Sequence, residues 1–113
     1  MTGDPEVAVR EKETAFACAK VLKAMADPTR LRILQLLFTG EKSVGEITEL
    51  LQENQTHVSH HLAILRAARL VEEERRGQRV MNRLHPDVDA SFRGGGKLNL
   101  GCCLIEFRPG EPA

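Results

Sequence analysis

The chain has 113 residues, with 16 Lys/Arg balanced by 16 Asp/Glu, 42% hydrophobic residues and neither Trp nor Tyr. That length suits one small domain with an aliphatic core, and an aromatic content of 4% argues against a platform for stacking single-stranded nucleic acid. No apolar run approaches the roughly 18 residues of a membrane span, and the polar start MTGDPEVAVR lacks a signal-peptide core, so the expected compartment is the cytoplasm, where thiols stay reduced.

Residues 1–6 read as a disordered tail. A first helix is expected over 7–26, with Ala15, Cys18, Leu22 and Met25 along one apolar face. Asp27-Pro28 interrupts it: Asp27 suits an N-cap, and Pro28 suits the first position of a second helix, PTRLRILQLLF. That helix should bury Leu31, Leu34 and Phe38 and stop at Gly40. Ser43 and Glu46 have capping-box spacing, so a third helix should run from Val44 to about Leu51. After the connection QEN, Asn54 can cap a fourth helix that opens QTHVSHHLAILRA. Two short helices joined by three or four residues are the signature of a helix-turn-helix.

Downstream, LVEEERRGQRVMNRLH reads as two strands around Gly77-Gln78. That register sets Val71 opposite Leu84, Glu72 opposite Arg83 and Arg75 opposite Val80, leaving a basic tip, RRGQR, of the kind a DNA-touching wing needs. In the tail, PDVDASF is expected to make one helical turn, Gly94-Gly95-Gly96 a flexible joint and KLNLGCCLIEF a short strand, with RPGEPA loose. The expected fold is thus mainly α with a small β-hairpin: a winged helix-turn-helix over 7–85, then a strand-like extension over 86–113 with vicinal cysteines.

Charge is unevenly spread. Residues 1–53 hold seven Lys/Arg against nine Asp/Glu, residues 54–85 six against three, and residues 86–113 three against four. The positive excess and three of the four histidines therefore coincide with the fourth helix and the hairpin, where they can attract phosphates despite overall neutrality. At about 100° per residue, Val58, Leu62, Leu65 and Arg69 share one side of the fourth helix, with His61 close by as a packed or hydrogen-bonded histidine. Thr56, Ser59, His60 and Ala63 lie opposite, flanked by Gln55 and His57. The N-terminal half of such a helix enters the major groove. Hydroxyl, amide and imidazole groups can bond base edges there, and small Ala63 permits close approach. Gln55, Thr56, His57, Ser59, His60 and Ala63 are accordingly the expected base readers, and Arg66, Arg75, Arg76, Gln78 and Arg79 the expected backbone or wing contacts.

Three cysteines remain. Cys18, on the apolar face of the first helix, suits a packing position, since free Cys is commonly buried. Cys102 and Cys103 either pack or sense. Together the three thiols could take a soft ion such as As(III), Cd(II) or Zn(II), or act as a redox switch. Neighbours in a regular strand point to opposite faces, so the vicinal pair could share an ion only across a kink, which Gly101 would permit. His85, Asp87 and Asp89 match no defensible metal spacing and read as loop residues. No nucleophile–base pair, phosphate loop or C-x-x-C motif is present, so an enzyme is not expected.

Taken in order and spacing, LKAMADPTRLRILQLL, SVGEITELL, THVSHHLAILRAARLV and GQRVMNRL resemble the ArsR/SmtB-type winged-helix repressors, over roughly Ala17 to His85. The resemblance implies a homodimeric, cytoplasmic repressor that binds double-stranded DNA and leaves its operator when an inducer binds. In many members that inducer is a thiophilic or borderline metal ion; others use thiol oxidation. The chain departs from the family in three ways. Gln52-Glu53 replaces a turn glycine, the long last helix that completes the dimer is missing, and the paired-cysteine motif at the start of the helix-turn-helix is absent. The family's metal sites on that last helix therefore cannot be carried over. The rival expectation is a winged-helix protein-interaction module without specific DNA binding.

Overall fold

The structure, a computed structural model, describes residues 5–91 and 96–108. Of the expectations above, residues 1–4 of the tail, Gly94-Gly95 of the joint and residues 109–113 lie outside them.

Helix α1 spans Pro5–Met25, starting two residues before the expected boundary, with proline at its first position. Its apolar face is buried only at its C-terminal end: Ala24 and Met25 are in the core, whereas Phe16 and Leu22 are 70% and 40% exposed. Helix α2, Pro28–Leu37, is capped by Asp27, whose carboxylate accepts the Arg30 backbone N–H at 3.0 Å. It buries Ile33, Leu34 and Leu37; of the expected set only Leu34 is fully buried, because α2 presents the 33/34/37 stripe to the core and leaves Leu31 and Phe38 half-buried at its edges.

Strand β1, Lys42–Ser43, is too short to announce itself in the sequence. It leads into helix α3, Val44–Leu51, where both capping-box bonds form: the Glu46 N–H donates to Ser43 Oγ and the Ser43 N–H to the Glu46 carboxylate, each at 3.1 Å. Gln52 then closes α3 in the left-handed region at φ +54°. That conformation costs a side-chain-bearing residue about 1–2 kcal/mol, partly offset in glycine by its greater unfolded-state freedom. Gln52→Gly is therefore expected to stabilise the fold by about 0.5–1 kcal/mol, measurable by denaturant unfolding.

Asn54 caps helix α4, Gln55–Ala67, by accepting the Thr56 N–H at 2.8 Å. Val58, Leu62 and Leu65 are completely buried, as their spacing requires. Arg69 does not join them. The helix has ended at Ala67, and Arg69 turns outward at φ +60° to pair with Asp87 at 2.8 Å.

Strands β2, Val71–Arg76, and β3, Arg79–Leu84, form the hairpin in the expected register, Val71 against Leu84 and Arg75 against Val80. Gly77 supplies the positive φ, +62°, of its two-residue turn. β1 adds to the far edge of β3, giving the order β1-β3-β2 and anchoring the wing to the start of α3.

The tail differs most from expectation. Within PDVDASF, Asp89–Ser91 form a strand, β4, Phe92 lying outside the described residues, and KLNLGCCLIEF folds back on itself as β5 (Lys97–Asn99) and β6 (Leu104–Glu106). The three make a second antiparallel sheet, ordered β4-β5-β6. Besides the link from its β5–β6 connection to α1 described below, it packs on the body at two points. Leu98 is completely buried within the hydrophobic core. The Phe38 ring meets Phe107 edge-on at 5.7 Å and covers Gly96, where an added Cβ would stand 2.6 Å from it. Gly96 also has φ +112°, so only glycine fits there.

Candidate nucleic-acid interface and cysteine cluster

The core face of α4 fixes the opposite face outward. Gln55, Thr56, His57, Ser59, His60 and Ala63 are all exposed. The hairpin stands beside this face: Gln55, Ser59 and Arg66 of α4 share a cleft of about 470 Å³ with Gln78 and Arg79 of the wing and Ser43 at the start of α3. Hydroxyls, two amides and two arginines thus meet at one open groove, with Glu73 at its wall beside Arg66.

His61 is held inward, as expected. Its Nδ1 lies 3.1 Å from a donating Arg30 guanidinium nitrogen, and the Asp27 carboxylate is 3.9 Å away. Arg30 also donates through Nε to the carbonyl of Ala24. One arginine therefore ties the end of α1, the cap of α2 and the middle of α4 together. The sequence reading missed this role, because nothing local distinguishes Arg30 from a solvated helix residue.

The wing arginines are less free than their sequence suggests. Arg76 pairs with Glu41 and with Glu74, Arg79 with Glu46 at 2.8 Å, Arg83 with Glu72 at 2.6 Å and Arg66 with Glu73 at 3.3 Å. These pairs hold Glu74 below the usual carboxylate range, through hydrogen bonds from Arg76 and Arg83. Glu46 is lowered mainly by the Ser43 backbone N–H, and Asp27 mainly by that of Arg30. Among the described residues of the segment 54–85, Arg75 alone of the six arginines has no carboxylate partner.

If the wing meets phosphates, Arg76 and Arg79 exchange one anion for another, while Arg75 gains a new one. Arg75→Ala is therefore expected to lower the slope of log K against log salt by about 0.9. Arg76→Ala should change it by less than half as much; salt titrations of DNA binding check this.

The three cysteines, remote in sequence, come together. Cys18 on α1 and Cys102 are joined as a disulfide, with Cα atoms 5.9 Å apart. The free Cys103 sulfur lies 3.4 Å from that of Cys18 and 3.9 Å from that of Cys102. Two expectations are corrected: the pair is in the β5–β6 connection, not in a strand, and two of the three thiols are bonded to each other. Gly101, at φ +85°, makes the bend that lets neighbouring cysteines face one point. His85 and Asp87 serve the loop after β3: His85 Nδ1 accepts the Asp87 N–H at 3.0 Å, and Asp87 holds Arg69.

Comparison with known proteins agrees with this geometry. The family model described as "Bacterial regulatory protein, arsR family" matches residues 27–73, which run from the α2 cap into β2. The transcriptional repressor SdpR of Bacillus subtilis is 40% identical over 68 residues, 60% of this chain and 76% of that protein. The arsenic resistance transcriptional regulator ArsR1 of Pseudomonas putida is 43% identical over 79 residues, 66% of this chain and 62% of that protein. The homodimeric winged helix-turn-helix DNA-binding domain of Mb0332 from Mycobacterium bovis superposes with a TM-score of 0.65 at 34% identity, covering 77% of this chain and 78% of that one. The outward polar face of α4, the flanking hairpin and these likenesses together show that the chain belongs to the ArsR family, whose members are winged helix-turn-helix transcription regulators rather than enzymes.

Proposed function

We propose that the protein is a sequence-specific, homodimeric repressor that binds double-stranded operator DNA in the cytoplasm and is released by an inducer acting on its thiols. The observation that carries the DNA-binding reading is the α4 surface: six exposed residues, Gln55, Thr56, His57, Ser59, His60 and Ala63, with the wing standing beside them across one cleft. Two such helices in a dimer would enter successive major grooves about 34 Å apart. Helix N-termini, Arg66 and the wing residues Arg75, Arg76, Gln78 and Arg79 would then meet the phosphates.

Self-association is supported by the uncovered side of α1. Phe16 and Leu22 are exposed there, and an apolar cleft of about 490 Å³ runs between Val21 and Ala24 of α1 and Ile64 and Ala67 of α4. The similar Mycobacterium bovis domain is a homodimer. An inducer that is a soft ion or an oxidant is supported by the donor set, three half-buried cysteines whose sulfurs all lie within 4.8 Å of one another.

The test is a gel shift on the DNA upstream of the protein's own coding region. Binding should exceed that to random DNA at least a hundredfold, and Ser59→Ala and His60→Ala should each lower specific binding more than non-specific binding. Equal affinity for both DNAs would sink specific repression, and no affinity even at low salt would point instead to a protein-interaction module. A Cys102→Ser/Cys103→Ser protein that still leaves the operator fully in As(III), Cd(II) and peroxide would remove the inducer reading.

A further inference from the structure

We infer that Glu46 is a positioning residue for DNA specificity: from the first turn of α3 its carboxylate holds the wing arginine Arg79 at the α4 cleft, so that a phosphate gains Arg79 only by displacing it. This deepens the DNA-binding reading, on which it rests for its effect on DNA but not for the contact itself.

The first support is convergence on one atom. Glu46 Oε1 accepts the Ser43 backbone N–H at 3.1 Å, closing the capping box, and also an Arg79 guanidinium N–H at 2.8 Å. The two side chains are 33 residues apart, so a box that reads as a local helix start also ties the helix-turn-helix to the wing. The box fixes the carboxylate, and the carboxylate fixes the arginine. Among the described residues Arg79 has no other carboxylate partner.

The second support is the need of the hairpin itself. Arg76 and Arg79 face each other in the last pair before the Gly77-Gln78 turn. Like charges directly opposite are unfavourable. Arg76 is offset twice, by Glu41 and by Glu74, whereas Arg79 is offset by Glu46. The place of the wing tip on the Arg79 side thus depends on one carboxylate.

The third is placement. Arg79 and Gln78 line the same cleft as Gln55 and Ser59 of α4, with Ser43 on its α3 side. A wing held there is in register with the base-reading face before DNA arrives, and a preplaced group loses less freedom on binding. The pair is nonetheless open to solvent, Arg79 being 63% and Glu46 48% exposed. Exposed pairs are weak, so a phosphate positioned by good base contacts can take the arginine over. A random sequence offers no such contacts. Its phosphates meet an occupied arginine and a repelling carboxylate, which is discrimination by penalising the wrong partner. The Ser43 N–H holds Glu46 below the usual carboxylate range, so the charge persists at neutral pH.

The test titrates the full chain and its variants with upstream DNA and with random DNA across a salt series. Glu46→Gln keeps an acceptor for the Ser43 N–H, as the capping box allows, and removes the charge. Its affinity for random DNA should rise about fivefold, and its slope of log K against log salt should steepen by about 0.5–0.9. Operator affinity should rise less than about twofold, because freeing Arg79 also loosens the wing. Thermal unfolding should hardly move, since the helix start is kept. Glu41→Gln removes the same charge nearby but leaves Arg76 on Glu74, so the ratio of the two affinities should stay as in the parent. In an Arg79→Ala chain, Glu46→Gln should no longer change that ratio. Equal rises on both DNAs would overturn the inference, as would the same fall in the ratio from Glu41→Gln or from Glu46→Gln in the Arg79→Ala chain.

Amide relaxation of Gln78 in the protein without DNA separates this inference from the reading beneath it. A hairpin tip loosened by Glu46→Gln, in a protein that binds no DNA even at low salt, would keep the contact and sink the DNA reading. An unchanged tip and unchanged affinities, in a protein that still prefers its upstream DNA, would keep the DNA reading and sink the role of Glu46.

Discussion

Replacing Ala63 with glutamate is expected to lower operator affinity at least a hundredfold while leaving the fold intact. Ala63 is exposed on the face of α4 that carries Ser59 and His60, one turn and less away. If that face seats in the major groove, the new carboxylate is pressed between two phosphate backbones, and like-charge juxtaposition at an interface costs several kcal/mol. A hundredfold corresponds to about 2.8 kcal/mol, well within that range. Glutamate is a good helix former, and substitutions at exposed positions usually change stability by less than about 0.5 kcal/mol. Thermal unfolding should therefore hardly move. Ala63→Gln separates size from charge: it keeps the added length, so its loss should be clearly smaller. Undiminished operator binding by Ala63→Glu would place the DNA elsewhere on the molecule.

Leu98→Ala should be the most destabilising of the substitutions considered, by about 2–5 kcal/mol, the range for truncating a fully buried leucine. The residue is completely buried although it sits in a three-residue strand near the C-terminus. It belongs to the same cluster as Ile33, Leu34 and Leu62, so its loss opens a cavity at the junction of tail and body. Urea unfolding of the reduced protein measures this without help from the cross-link, whose constraint on the unfolded chain would mask part of the effect. A loss below about 1 kcal/mol would mean that the tail sheet is not part of the cooperative unit. Peptide mapping of Leu98→Ala under mild oxidation gives a second reading, since a detached tail would form the Cys18–Cys102 bond less completely.

The winged helix-turn-helix was legible because its signals are local. Asp27-Pro28, the Ser43/Glu46 box and Asn54 start three helices through hydrogen bonds to groups at most three residues away. The Val58/Leu62/Leu65 spacing determines which face of α4 is buried, and by exclusion which face is offered to a partner. Gly77 sets the hairpin register from the turn outward. Each of these depends on dihedral preference or helical period, quantities that the residues carry with them.

What the residues could not carry was the pairing of distant groups. The arginines of the hairpin read as free positive charge until Glu41, Glu46 and Glu74 were brought against them, because ion pairing depends on distance in space and not along the chain. Arg30 gained its place between α1 and His61 in the same way. The tail shows the contrast most sharply. Its composition alternates like a single strand, yet Gly101 folds it into two, Gly96 slips beneath Phe38, and Leu98 enters a core whose other members run from Ala24 to Val71. Cys18 and Cys102 are separated by 84 residues, and only the docking of that sheet on α1 puts their sulfurs, and that of Cys103, at one point. Local backbone chemistry sufficed for the DNA-reading half of the molecule; the thiol cluster exists because long-range burial brings together chain segments that have no local reason to meet.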